Sequence, residues 1–260
     1  MQKIALVNQK GGVGKTTTAI NLSAALAAVG KKTLIIDLDP QGNASTGLGI
    51  PSNNRQDTIY QLIFGLTTID KAIKKTSIKN LDIICSNVDL AAAELELKDF
   101  DNREFLLTKL IDEIGYYDYV IIDCPPSLGL LTINALTAVN HVVIPMQCEF
   151  YSLEGLAHLM NTLKLISLNF NANLKILGIA LTMYDARNKL SAEVRKEVKK
   201  YLGDKLFDTV IPRNVRLSEA PSHGTAAIAY DYSCKGSMAY IRLAKEIIIR
   251  EVQLCKKIPA

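Results

Sequence analysis

Phosphate-handling residue types crowd the start of the chain, in Lys10-Gly11-Gly12-Val13-Gly14-Lys15-Thr16-Thr17. Glycines let backbone N–H groups close around a β-phosphate, Lys15 can reach the β/γ oxygens, and the Thr16 hydroxyl can ligand Mg²⁺. The general phosphate-loop pattern is G-x-x-x-x-G-K-[ST], and Gln9 stands where its first Gly should be. The loop is therefore a deviant one. It also has a second lysine at its mouth, Lys10. A tight loop leaves Lys10 little room to fold back onto phosphates that Lys15 already holds, so it is free to project toward a second nucleotide. Carboxylates that could complete such a site are Asp37 and Asp39 in Asp37-Leu-Asp39-Pro-Gln-Gly-Asn43, and Asp123 in Ile121-Ile-Asp123-Cys-Pro-Pro126.

These residues need elements to hold them. The apolar run Ile4 to Val7 precedes the loop and an amphipathic stretch closing at Val29-Gly30 follows it, giving strand, loop, helix, with helix N-terminal potential aimed at the phosphates. Thr33 to Asp37 and Tyr119 to Asp123 are continuous apolar runs of the kind that buried parallel strands show. Both deliver an acid at the carboxyl end, the side on which open α/β sheets bind ligands. Asp123 fits the pattern of a carboxylate that holds Mg²⁺ directly or through water. Further strands are expected at 81–85, 142–145 and 174–181, and helices at 103–114, 152–166, 190–202 and 237–254, with a weak helical pattern over 59–75 and a Gly/Ser/Asn-rich surface loop over 43–58. Val210-Ile211-Pro212 reads as a short strand end. The alternation predicts an α/β fold, a mostly parallel twisted sheet flanked by helices on both faces.

With 260 residues the chain suits one domain with a large core. No apolar run approaches the ~20 residues of a membrane span. The first strand leaves no room for a signal peptide, which predicts a cytoplasmic protein. Cys85, Cys124, Cys148, Cys234 and Cys255 form no C-x-x-C pair and read as reduced thiols. The three histidines, His141, His158 and His223, show no triad or metal spacing. Net charge is +4, but residues 1–150 hold 13 Lys/Arg against 16 Asp/Glu, and residues 151–260 hold 17 against 10. The basic excess is C-terminal, which points to a polyanion partner or to an ordinary solvated face.

Taken together, the loop, the Asp37 and Asp123 segments, and the stretches Ile144 to Gly155, Thr182 to Arg187 and Ile211 to Gly224 make the chain resemble the ParA/MinD superfamily of deviant Walker ATPases. Within it they resemble the ParA/Soj chromosome-partitioning branch, from about residue 3 to about residue 250. No helix-turn-helix segment precedes the first strand, as in the short chromosomal type. The resemblance implies a P-loop NTPase fold over 1–260, ATP and Mg²⁺ as ligands, and weak intrinsic ATPase activity. It implies nucleotide contacts from residues 10–17, Glu149, Pro212 and Asn214, with Pro212 and Asn214 flanking the adenine. Lys10, Lys15 and Asp39 are the implied catalytic residues, Lys10 acting across an ATP-sandwiched homodimer and Asp39 on the attacking water. Thr16, Asp39 and Asp123 are the candidate metal residues. Arg187, Arg213, Arg216 and Lys235 are placed on a face for nonspecific DNA, with the cations Arg195 to Lys200 nearby. A ParB-like, centromere-bound partner and a nucleoid location follow from the same resemblance.

Spacing alone leaves alternatives. Lys10 could be a solvated loop lysine, Asp39 a cap, Asp37 a strand terminator, and Glu149 a solvent-facing acid or a contact to nucleotide or to Lys10. Pro212 and Asn214 could only shape a turn. A MinD-like membrane-cycling ATPase would need an amphipathic C-terminal helix, and the tail offers Ile247, Ile248, Val252, Leu254 and Lys256-Lys257 before Pro259. An electron-transfer ATPase resembling the nitrogenase iron protein would need a cluster cysteine, for which Cys124 lacks a companion motif. A non-hydrolysing DNA-binding module is the remaining alternative.

Overall fold

The strands that deliver the candidate acids sit side by side at the centre of a seven-stranded sheet in the order β3-β4-β2-β5-β1-β6-β7. In chain order β1 is Gln2–Leu6, β2 Thr33–Asp37, β3 Ile73–Lys75, β4 Leu81–Ile84, β5 Tyr119–Asp123, β6 His141–Gln147 and β7 Lys175–Thr182. The computed structural model describes residues 1–256, the last two without their side chains. All pairings are parallel except β3 with β4, so the sheet is the mostly parallel one predicted.

Continuous apolar strands have two buried faces, and the side chains divide accordingly. Ala5, Val7, Leu34, Ile36, Val120 and Ile122 point into one core, beneath helices Leu106–Asp112, Leu130–Ala138, Ser152–Asn169 and Lys189–Leu202. Ile4, Leu6, Ile35, Tyr119 and Ile121 point into the other, beneath helices Lys15–Ala28 and Lys235–Lys256. Burying an Ile or Leu stabilises by ~1.5–3 kcal/mol, so two such layers fix the register firmly. That register matters for the site. It sets Leu6 beside Asp123 and Asp123 beside Asp37, so the phosphate loop and two carboxylates emerge at one level.

Four stretches differ most from the sequence reading. Residues 43–58 are not a surface loop: they hold helix Asn43–Gly47 and a turn at Ser52–Asn54, with Ala44, Ser45, Leu48, Arg55 and Thr58 buried. Arg55 makes this possible by donating to the carbonyls of Ile50 and Ser86 and to the Thr46 hydroxyl, satisfying polar groups a Gly/Ser-rich sequence would otherwise leave to water. The weak helix over 59–75 breaks into Ile59–Ile63, Ile69–Ala72 and the antiparallel edge strand β3. Helix Leu130–Ala138 is an addition; it is buried nearly all round and so lacks the amphipathic period that reveals a helix. Val210 to Pro212 forms only an isolated bridge from Pro212 to Tyr184.

Among the described residues no helix is long and apolar enough to cross a membrane. The C-terminal helix is docked, with Ile247 in the core and Glu251 accepting from the Tyr119 hydroxyl at 2.6 Å. Lys257 and Pro259 and the side chains of Cys255 and Lys256 lie outside the described residues. Cys85, Cys124, Cys148 and Cys234 are free thiols, as read from their spacing.

Candidate nucleotide site

The phosphate loop hangs between β1 and helix Lys15–Ala28, and its conformation depends on glycine at two positions. Gly12 has φ 74° and Gly14, the helix N-cap, φ 87°, both in the left-handed region that L side chains rarely adopt. A Cβ at Gly11 or Gly12 would project into open space, leaving a cradle beside the backbone. Two of the loop's carbonyls are engaged by side chains from distant strands. Thr182 donates to the Val13 carbonyl at 2.7 Å, Gln147 to the Gly12 carbonyl at 2.9 Å, and Asn8 accepts from the Lys10 N–H at 3.0 Å. With the Gly12 and Val13 carbonyls engaged and the Lys10 N–H taken by Asn8, the N–H groups from Gly11 onward are left for an anion. The sequence reading gave Thr182, Gln147 and Asn8 no role; only a polar residue at a strand end facing the loop could have signalled them.

Lys15 is buried and its Nζ donates to the Lys10 carbonyl at 3.3 Å. Burial holds its ammonium below the ordinary lysine value, against the pull of Asp123 and Asp39, so an incoming phosphate would relieve that desolvation. Lys10 behaves differently. Its side chain is 41% exposed and ion-paired to Glu149. Of the alternatives open for Glu149, the structure forms the contact to Lys10. Beside this pair Phe150 and Tyr151 are each 74% exposed and pack edge to face.

Asp123 is fully buried, and neither carboxylate oxygen has a hydrogen-bond partner. Burial, then repulsion from Asp37, pushes it well above the usual carboxylate range; the Thr16 hydroxyl pulls the other way without a hydrogen bond of ordinary geometry. An orphaned buried carboxylate beside a threonine hydroxyl fits a hydrated divalent cation. Among the described residues no three of His, Cys, Asp or Glu converge into a metal cluster. That agrees with Mg²⁺, which keeps waters and phosphate oxygens as ligands rather than a protein cage.

Asp37 is buried too, but satisfied. Its Oδ2 accepts from the Ser45 N–H at 2.8 Å and the Ser45 hydroxyl at 2.7 Å. Burial nevertheless pushes it up to about 6. Because the folded chain then binds this proton more tightly than the unfolded chain, the stability it contributes is full below about pH 4 and is lost as pH rises through about 6. The nucleotide-free protein should lose roughly 3 kcal/mol from this group between pH 4 and pH 7. Asp37→Asn should flatten that fall in thermal unfolding scans; an equal slope in the variant excludes Asp37 as its source. Asp39 is half-buried, with its Oδ1 accepting from the Gln41 N–H at 3.0 Å.

A cavity of about 360 Å³ adjoins the loop, walled by Gly14, Thr17, Met183, Pro212 and Asn214. Pro212 and Asn214 are thus brought beside the loop. The Asn214 side-chain oxygen is engaged, accepting from the Arg216 N–H at 2.9 Å as a helix cap, which leaves its NH₂ free to donate. Met183 holds φ 50°, an unusual conformation at the wall of this cavity. A larger cavity, about 480 Å³, lies at the far end of β7 among the bases Lys199, Lys205 and Arg250 and the acids Asp204, Asp208 and Glu246.

A mostly parallel sheet with a glycine loop between its central strand and a helix, and a buried acid on the neighbouring strand, defines a P-loop NTPase. The family model of an AAA domain, AAA_31, matches residues 1–176. The chain is 53% identical over 245 residues to sporulation initiation inhibitor protein Soj of Bacillus subtilis, covering 94% of this chain and 97% of that protein. It is 51% identical over 254 residues to chromosome partitioning protein ParA of Caulobacter vibrioides, covering 96% and 95%. Among solved structures it is similar to cobyrinic acid a,c-diamide synthase from Mycobacterium smegmatis with bound ATP analogue and magnesium, at TM-score 0.88 and 33% identity, covering 100% and 98%. The chain belongs to the ParA/Soj family of chromosome-partitioning proteins within the ParA/MinD superfamily.

Proposed function

We propose that this protein is a partitioning ATPase that dimerises around two ATP molecules, binds DNA without sequence preference as the dimer, and releases it on hydrolysis. The observation that carries this reading is the division of labour between the two loop lysines. Lys15 is buried in its own cradle, whereas Lys10 is parked on Glu149 at the surface, available to a phosphate held by a second copy. The exposed Phe150 and Tyr151 beside it supply apolar area for the same contact.

Within each subunit, backbone N–H groups of residues 11–17 and the Lys15 ammonium bind the phosphates, and the cavity beside Pro212 and Asn214 takes the base. Thr16 and Asp123 would hold Mg²⁺, which when bound neutralises charge on the phosphate oxygens. Asp39 orients the attacking water, and Lys10 of the second copy adds charge stabilisation. Positioning and charge are the whole of such catalysis, so an isolated subunit turns over slowly. A ParB-like protein would complete the stimulated site, as the family resemblance implies.

Arg187, Arg213, Arg216 and Lys235 serve as the DNA contacts. They are exposed, and doubling them in a dimer couples ATP to DNA affinity. Filter retention of random-sequence duplex DNA tests this with ATP, ADP or no nucleotide at 50 and 200 mM salt. Retention should require ATP and fall by about 10²-fold or more at the higher salt, through counterion release. Equal retention in all three nucleotide states overturns the coupling.

A further inference from the structure

The four cations assigned above to DNA lie along one ridge, and the structure connects them. Asp185 and Arg213 wall the same small cavity, and Arg187 forms a two-pronged pair with Asp185, its Nη2 3.0 Å from Oδ2 and its Nε 3.1 Å from Oδ1. Arg216 follows Arg213 by one short turn. It is held by two acids, Glu219 at 2.7 Å and Asp231 at 3.3 Å. Asp231 in turn accepts from the N–H groups of Ser233 and Cys234, immediately before Lys235 opens the C-terminal helix.

Four cations on this ridge are therefore interleaved with three carboxylates, and both paired arginines, though exposed, spend part of their guanidinium forks on acids. Ion pairs this exposed contribute little to folding. The Arg187 side chain is 91% exposed, so its pair with Asp185 is not a packing feature. For a polyanion the same acids act twice. They occupy the guanidinium forks that would grip phosphates, and they repel the phosphates directly.

We propose that Asp185, Glu219 and Asp231 are built-in antagonists of DNA binding, holding the affinity of a single subunit low so that only the doubled ridge of a dimer retains DNA. The inference rests on the reading of this ridge as the DNA face. Without the acids, one subunit presents a surface strong enough to bind on its own and the ATP requirement is lost. With them, each subunit contributes one net positive charge from these groups.

The test is the triple variant D185N/E219Q/D231N of the full chain. Asn at 231 keeps an acceptor for the Ser233 and Cys234 N–H groups, so the turn before the C-terminal helix is preserved. Fluorescence anisotropy with random-sequence duplex DNA, without nucleotide and with ATP, is compared for wild type, this variant, the exposed distant control E113Q, and R187A/R213A/R216A. Thermal unfolding verifies that each is folded. Coulomb's law across about 7 Å of water gives about threefold per carboxylate, so the triple variant should bind about 30-fold tighter without nucleotide. Its log affinity should also fall more steeply with log salt, because freed arginines add phosphate contacts, while E113Q stays near wild type. No gain in the triple variant, with DNA binding lost in the arginine variant, overturns the antagonism and leaves the DNA face standing. Undiminished ATP-dependent binding in the arginine variant removes the DNA face itself, and this inference with it.

Discussion

Lys10→Ala is expected to bind ATP as a monomer with affinity within about threefold of wild type, and to fail to dimerise with ATP. In the proposed site Lys15 and the loop N–H groups supply affinity within a subunit, whereas Lys10 is paired with Glu149. Across a dimer each Lys10 would make one charge-assisted contact to the other subunit's phosphates. Such contacts in a water-poor interface are worth about 2–4 kcal/mol each, so losing both should weaken the dimer by at least about 10³-fold. Analytical ultracentrifugation with ATP and Mg²⁺ checks this, alongside an isothermal titration for nucleotide affinity. A variant that dimerises like wild type removes Lys10 from the interface. A variant that loses ATP binding altogether makes Lys10 a cradle residue, contrary to where the structure puts it.

Much of this site is legible in the sequence because its backbone is. Strands β1, β2 and β5 are buried on both faces and announce themselves as apolar runs, so residue order alone places the loop and the acids ending β2 and β5. What is not legible is how distant side chains answer one another. Glu149 is 139 residues from Lys10, and Thr182 is 169 from Val13. No local pattern encodes either contact. Segment 43–58 reads as a plain surface loop because its composition is that of one; its short helix and the burial of Arg55 depend on partners set by the fold. The basic ridge is legible as cations only. Its restraining acid Asp231 comes from another turn of chain, and a count of net charge cannot say which acids touch which bases.

Asp39→Ala should separate hydrolysis from everything upstream of it. Asp39 stands two residues beyond β2, half-buried, with Oδ1 engaged by the Gln41 N–H and Oδ2 without a protein donor among the described residues. Asp123 is unsuited to handle the attacking water, because it is wholly buried and is the better match for a cation; Asp37 is occupied by Ser45. In the proposed mechanism that leaves Asp39 to orient the attacking water. Removing a group that positions water and accepts its proton typically lowers turnover by 10²–10⁴-fold. The variant should therefore hydrolyse ATP at least about 10²-fold more slowly while binding it normally. Since release follows hydrolysis, it should persist as an ATP-bound dimer and stay on DNA longer than wild type in a chase with competitor duplex. Asp39→Asn, which keeps the acceptor for Gln41 but not the charge, should be equally slow, which distinguishes a role in the reaction from a role in the turn. Hydrolysis within threefold of wild type in both variants, or lost ATP binding in either, moves the water-handling role away from Asp39.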